Sequence, residues 1–352
     1  MSTKLRLGIT QGDVNGIGYE VIIKSLMDSR MLEMCTPIVY GSPKVAAYHR
    51  KALSVENFSF NPIKTADEAS DSKPNMVNCM DDEVRVELGR STETGGAGAL
   101  SALKMAVADL KEQRIDALVT APINKHNIQG EEFRFAGHTE YLAQAFGAPD
   151  TLMLMVSGNM RVGVVTGHIP LGQVAHSLHK ELLLSKLRVL NQSLRVDFGV
   201  RKPRIAVLGL NPHSGDNGLL GLEEQQVIVP TIEQANAEGM VALGPYAADG
   251  LFGSERFGSF DAILAMYHDQ GLAPFKALNF DMGVNYTAGL PIVRTSPAHG
   301  IAYDLAGRNL ANPESFRQAM YTAIDIARNR KLQAELMANP LRHHQGRRER
   351  GE

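Results

Sequence analysis

Short apolar runs alternate with amphipathic stretches along most of the chain. Leu5–Ile9, Thr36–Tyr40, Ala117–Thr120, Leu152–Val156, Val162–Val165, Ile205–Gly209 and Ala262–Met266 read as strands. They are four to five residues long and mostly apolar, the pattern of strands buried on both faces. Helical spacing of Ala, Leu, Ile and Val marks Gly18–Asp28, Glu93–Glu112, Lys180–Leu194, Glu223–Glu238 and Pro313–Ala338. Strand–helix alternation predicts α/β layers on a largely parallel sheet. The stretch from Ala52 to Asp82 is polar and irregular and reads as a surface excursion. The Arg- and His-rich tail, Arg342–Glu352, reads as frayed.

At 352 residues the chain exceeds one ordinary core and suits two domains. No Gly-, Ser- or Pro-rich linker separates them, so two lobes crossed more than once by the chain are expected. Lys and Arg total 36 against 38 Asp and Glu, a net charge of -2. That balance excludes nucleic acid as the main partner, which demands a basic surface. No apolar stretch reaches 18 residues, so no membrane span is expected. The N-terminus runs straight into a strand without a signal-peptide pattern, and Cys35 and Cys79 suggest no disulfide framework. A reducing cytosol is the expected setting.

In an open α/β sheet ligands bind beyond the carboxyl ends of the strands. Three strands here end in a histidine: Thr166-Gly167-His168, Leu210-Asn211-Pro212-His213 and Tyr267-His268-Asp269. Three imidazoles in equivalent positions suit a first-row divalent ion with sites left open for substrate; a lone histidine at a strand end is ordinarily a polar loop residue. Lys276, Asn285 and Arg294 lie in mostly apolar surroundings and suggest a pocket for phosphate or carboxylate, or else structural salt bridges. Gly137-His138-Thr139 opens a helix where an anion can bind, or caps it plainly. His213-Ser214-Gly215-Asp216-Asn217-Gly218 is a cofactor loop or a long turn. Asp249, read in an apolar setting, is the candidate for proton transfer. The turn Gly12-Asp13-Val14-Asn15-Gly16-Ile17-Gly18 lacks the third glycine of a dinucleotide fingerprint, so the cofactor is not placed there.

These segments, together with Thr120-Ala121-Pro122-Ile123-Asn124-Lys125, Gly137-His138-Thr139-Glu140, Met266-Tyr267-His268-Asp269-Gln270-Gly271 and Gly289-Leu290-Pro291 through Arg294-Thr295-Ser296-Pro297, resemble the 4-hydroxythreonine-4-phosphate dehydrogenase family. They span residues 5–310 in order. The resemblance implies two α/β/α lobes around a central cleft, like the isocitrate and isopropylmalate dehydrogenases. Residues 1–137 with 295–345 would form the first lobe, 138–294 the second, and 346–352 a disordered tail. It implies a divalent metal (Zn, Mg or Co) on His168, His213 and His268, with His268 reaching across a homodimer interface. Substrate contacts would come from His138, Thr139, Lys276, Asn285 and Arg294. The expected reaction is NAD- or NADP-linked oxidation of a small phosphorylated hydroxy acid, followed by decarboxylation. The first Gly-rich turn departs from the family, with Val14, Asn15 and Tyr19 where GDPAGIGPE is common. Relatives oxidise 4-phosphorylated erythronate or threonate instead, and the metal and phosphate motifs serve either substrate. Two rivals are a metal-dependent hydrolase or aldolase without nicotinamide, and a phosphometabolite-binding protein without catalysis.

Overall fold

The computed structural model describes residues 4–81 and 84–339. Twelve strands form one continuous sheet: β1 (Arg6–Thr10), β2 (Thr36–Gly41), β3 (Asn61–Ile63), β4 (Asn75–Asn78), β5 (Ala117–Thr120), β6 (Leu152–Ser157), β7 (Met160–Thr166), β8 (Arg204–Leu208), β9 (Val241–Tyr246), β10 (Ala262–Tyr267), β11 (Val284–Ala288) and β12 (Val293–Pro297). Their spatial order is β3-β4-β2-β1-β5-β12-β11-β6-β7-β10-β8-β9. The longer helices are α1 (Gly18–Leu26), α2 (Pro43–Ala52), α3 (Glu93–Lys111), α4 (His138–Ala145), α5 (Lys180–Val196), α6 (Val229–Ala237), α7 (His268–Asn279) and α8 (Glu314–Ala338).

The outer strands are parallel, as their apolar runs predict; β2, β5 and most of β1, β8 and β10 are buried along their length. The antiparallel pairings are confined to the centre, β12–β11, β11–β6 and β6–β7. There the two faces differ in chemistry. Val293 and Thr295 point toward α8, where the Thr295 hydroxyl donates to the Ala319 carbonyl at 2.8 Å. Phe316, Ala319, Met320, Ala323 and Ile324 of α8 are buried at helical spacing and seal that side. The alternate residues face the other way, as period-two pleating requires: Arg294 and Ser296 of β12, Asn285 and Thr287 of β11, Met153 and Met155 of β6. Asn285 is in register with Met155 and with Ser296, so Arg294, Ser296, Asn285 and Thr287 form a polar floor edged by Met153 and Met155.

Three expectations from the pattern change. The excursion from Ala52 to Asp82 contributes β3 and β4 to the sheet edge, with Met76 and Val77 buried. Its strands are three and four residues long, too short for periodicity to show, and buried Asn75 ties them in by donating to the carbonyls of Pro37, Ser70 and Lys73. β9, β11 and β12 extend the sheet beyond the strands read from the pattern. The helix expected from Glu223 opens with a π-helical turn, Glu224–Ile228, before α6 begins. In the first Gly-rich turn every residue from Gln11 to Glu20 is buried. Asp13 there accepts from Asn15 N, Asn127 Nδ2 and the Tyr303 hydroxyl. The tail expected to fray, 342–352, lies outside the described residues. No helix among the described residues is long and apolar enough to cross a membrane.

Candidate active site

A cavity of about 280 Å³ opens over the polar floor of the central strands. On one side stand the segments that follow β5 and open α4; on the other stand the ends of β7 and β10 and the first turns of α7. His138, Thr139, Lys276, Asn285, Arg294, His168 and His268 all line it. His213 and Asp249 do not.

Arg294 decides the chemistry of the floor. It is 3% exposed, and among the described residues it forms no ion pair with a carboxylate. Its guanidinium donates to Thr120 Oγ1 from Nε and Nη2 (3.1 and 2.7 Å) and to Thr287 Oγ1 from Nη1 (3.2 Å). Its Nη2 also lies 3.2 Å from His138 Nδ1. Burial draws its pKa down to about 10, so the charge persists at neutral pH. A guanidinium only donates, so His138 Nδ1 must accept and the ring proton sits on Nε2. Burial, and then the positive charges of Arg294 and Lys125, hold this histidine well below the ordinary imidazole range and keep it neutral. His138 Nε2 and Asn285 Oδ1 are buried without a partner. The floor therefore presents a fixed cation, one free N–H donor and one free oxygen acceptor, groups costly to bury unless a ligand satisfies them.

The opposite wall is wetter. The His168 and His268 rings face each other with centroids 5.9 Å apart. Their side chains are 46% and 36% exposed. β7 and β10 are adjacent and parallel, with Thr166 beside Tyr267, which brings the two strand ends together. His268 Nδ1 lies 2.6 Å from Asp269 Oδ1, so Nδ1–H donates to the carboxylate and Nε2 is left as the free lone pair. Glu140 Oε1 stands 3.9 Å from His168 Nδ1, and the imidazole beside it holds the carboxyl below its usual range. Lys276, half-buried on α7, has no ion-pair partner among the described residues.

His213 is exposed on the turn after β8, outside this cavity. Asp249 is exposed in the short helical turn Ala248–Phe252. The apolar setting read for it belongs to its neighbour: Leu251 turns inward and is buried, leaving Asp249 in solvent. The geometry of one chain gives Asp249 no reacting atom to serve.

The cavity also holds residues to which the sequence reading gave no site role: Thr120, Lys125 and Glu140, which lie in segments that carry the resemblance, and His299. His299 Nδ1 donates to the Gly300 carbonyl at 3.0 Å, which leaves its buried Nε2 as an unpartnered acceptor. The available signal was position: Lys125 ends the segment after β5, and Glu140 follows His138 by two residues.

Residues 33–323 match the family described as pyridoxal phosphate biosynthetic protein PdxA. A 4-hydroxythreonine-4-phosphate dehydrogenase of Bacteroides thetaiotaomicron is 56% identical over 341 residues, covering 96% of this chain and 93% of the relative. The chain belongs to the PdxA family. The crystal structure of a 4-hydroxythreonine-4-phosphate dehydrogenase from Klebsiella pneumoniae superposes with a TM-score of 0.80 at 33% identity, covering 92% of this chain and 98% of that one. A second group of relatives bears another name: the D-threonate 4-phosphate dehydrogenase of Cupriavidus necator is 37% identical over 328 residues, covering 92% of this chain and 98% of the relative. The α/β architecture is thus that of the PdxA family, and the chain is a dehydrogenase by kinship.

For a PdxA-family chain a divalent ion is implied, and the donors on the wet wall fit one. Two neutral-capable imidazoles face each other, one of them oriented by a carboxylate through its second nitrogen, as ligating histidines commonly are. Among the described residues no three His, Cys, Asp or Glu side chains converge on one point, so a single chain supplies a partial donor set.

Proposed function

We propose that the chain oxidises 4-phosphohydroxy-L-threonine at C3 with NAD or NADP and a divalent ion, and that the resulting β-keto acid loses CO2 to give 3-amino-2-oxopropyl phosphate for pyridoxal phosphate synthesis. The observation that carries this reading is Arg294, a buried cation that forms no ion pair among the described residues, set beside an N–H donor and an oxygen acceptor that have no partner there either. Arg294 and Lys276 hold the phosphate, the guanidinium through its buried charge and the one Nη1 N–H not committed to Thr120, Thr287 and His138, the ammonium as a point charge. His138 donates from Nε2 and Asn285 accepts at Oδ1, fixing the carbon skeleton between the walls. A divalent ion held by His168 and His268 would supply stabilisation of charge on the oxygen being oxidised, and a nicotinamide would supply the hydride acceptor. The imidazole donors suit zinc and cobalt better than magnesium, the third ion the resemblance implies, which prefers oxygen ligands.

Glu140 supports the amino-acid substrate, because among the described residues it is the one carboxylate lining the cavity and can pair with a C2 ammonium. The second reading, oxidation of 4-phosphorylated threonate or erythronate, rests on the relative named for D-threonate 4-phosphate.

We further propose two lobes, 1–137 with 295–345 and 138–294, and a homodimer with shared sites. Of the fourteen large apolar side chains exposed among the described residues, eight follow the three histidines: Ile169 and Leu171; Leu219, Leu220 and Leu222; Leu278, Phe280 and Met282. Exposed apolar surface on that scale supports a partner there. The resemblance implies that His268 crosses the interface; because His168 and His268 face each other within one chain, we propose instead that His213 is the ligand supplied by the second copy. Cys35 and Cys79 are buried free thiols, which suits a reducing cytosol.

The test is nicotinamide absorbance during turnover. Purified protein is given 4-phosphohydroxythreonine, 4-phosphothreonate or 4-phosphoerythronate with NAD or NADP. Reduction with the first substrate supports the proposal, and reduction with only the sugar acids favours the second reading. Turnover without nicotinamide reduction points to a hydrolase or aldolase, and ligand binding without turnover to a binding protein.

A further inference from the structure

The turn after β8 is backbone strain on display. His213, Ser214, Gly215, Asp216 and Asn217 run in succession through the left-handed region, with φ of 52°, 52°, 81°, 42° and 55°. Four of the eight non-glycine residues with positive φ among the described residues are here. Each such residue costs about 1 kcal/mol or more, so the surroundings must enforce the shape.

Beneath it lies Glu224, which shares the head of the turn at Asn211 with Glu223, whose Oε2 accepts from Asn211 Nδ2 at 2.7 Å. The Glu224 carboxylate is 3% exposed and among the described residues has no cationic partner. Oε1 accepts from the backbone N–H of Leu210 and of Asn211, each at 2.8 Å. Oε2 accepts from Asn211 Nδ2 at 3.0 Å. The same Oε2 would lie 2.6 Å from a Cβ at Gly215, so the middle of the turn has no room for a side chain. The turn closes over the carboxylate through Ser214 N to Asn211 O and Leu220 N to Gly215 O. The π-helical turn that Glu224 opens sets this carboxylate beneath the loop. His213, at the head of the turn, is left exposed with its ring in solvent.

We propose that Glu224 is a positioning residue for His213: it holds the left-handed turn in one conformation and so presents the imidazole, ready-made, to a divalent ion. This rests on the reading of His213 as a metal ligand and adds what makes it an effective one. A flexible His-Ser-Gly-Asp-Asn-Gly loop would have to be ordered when the ion binds; the clamped turn is already ordered when the chain folds.

The test uses the full-length protein stripped of metal, with zinc chloride titrated against a chromogenic chelator and cobalt chloride read by its visible spectrum. Glu224→Gln keeps the volume but turns an NH₂ toward Asn211 Nδ2. It should weaken zinc binding severalfold, because the imidazole is then presented from a less fixed turn, and alter the cobalt bands. Gly215→Ala should act in the same direction. Glu224→Ala is the harsher variant; if it fails to fold, Glu224→Gln decides. His213→Ala separates this inference from the reading beneath it. If His213→Ala binds zinc like the parent, the metal reading falls and the inference with it. If His213→Ala loses affinity while Glu224→Gln stays within twofold of the parent with unchanged cobalt bands, the inference is wrong and the metal reading stands.

Discussion

The two walls of the cleft are built on opposite plans. The floor around Arg294 is complete in one chain: the guanidinium is buried, its direction is set by Thr120 and Thr287, and His138 is locked in one tautomer. The wall of His168 and His268 is a third to a half exposed, and the third histidine stands apart on its own turn. A pre-wired, buried wall suits a ligand group that never changes during reaction, such as a phosphate. An open wall with an incomplete donor set suits an ion and a second copy that arrive together. The contrast teaches that preorganisation and completeness are separable: one wall has both within the chain, whereas the other has only rigid pieces.

The largest effect should come from the buried wall. Arg294→Ala should lower kcat/KM for the phosphorylated substrate by about 2–5 kcal/mol, as removal of one member of a buried charge pair does. Arg294→Lys should restore part, since an ammonium keeps the charge but cannot reproduce the hydrogen bonds to Thr120, Thr287 and His138 that aim it. Steady-state kinetics against the dephosphorylated substrate check this: a preference for phosphate that survives in Arg294→Ala would make Arg294 structural. Next in size is metal removal. Stripping divalent ions should abolish turnover while substrate analogue binding, followed by calorimetry, falls by less than tenfold, because the phosphate grip lies on the other wall. Loss of analogue binding together with turnover would erase the distinction between the walls.

A smaller effect concerns acid stability. His138 and His49 are buried and held below the ordinary imidazole range, His49 at about 4, chiefly by burial. The unfolded chain takes up protons near 6.5 that the folded chain refuses. Their stabilising share is therefore intact above pH 6.5 and is lost as pH falls toward 4, by about 1.4 kcal/mol per unit for each group. Urea midpoints from pH 7.5 to 4.5 should fall accordingly, and His49→Gln should flatten the slope. An unchanged slope in that variant would remove His49 from the account.

Much of the fold was legible because β1, β2, β5 and β10 are buried on both faces and read as unbroken apolar runs. β11 and β12 escaped for the reason that makes them functional. Asn285, Thr287, Arg294 and Ser296 interrupt their apolar pattern because that face is the cavity floor. The residues of the site were legible as strand-end chemistry, but burial was not: Asp249 and Arg294 both have apolar neighbours in sequence, and only packing separates the exposed carboxylate from the buried guanidinium. The left-handed turn at His213 had a compositional cue in its Asp, Asn and Gly, residues that tolerate positive φ. The carboxylate beneath it, Glu224, lies eleven positions on and carries no local signal.

The central claim is that His168 and His268 of one chain share an ion with His213 of a second copy. Subunit mixing tests it most directly. His168→Ala and His213→Ala protein, each inactive alone, are mixed under conditions that allow exchange. Each hybrid dimer then carries both lesions in one site and none in the other, so activity should return. Mixing His168→Ala with His268→Ala should return nothing, because every site keeps a lesion. Recovery in the second mixture and not in the first would contradict the account and place His268, not His213, across the interface.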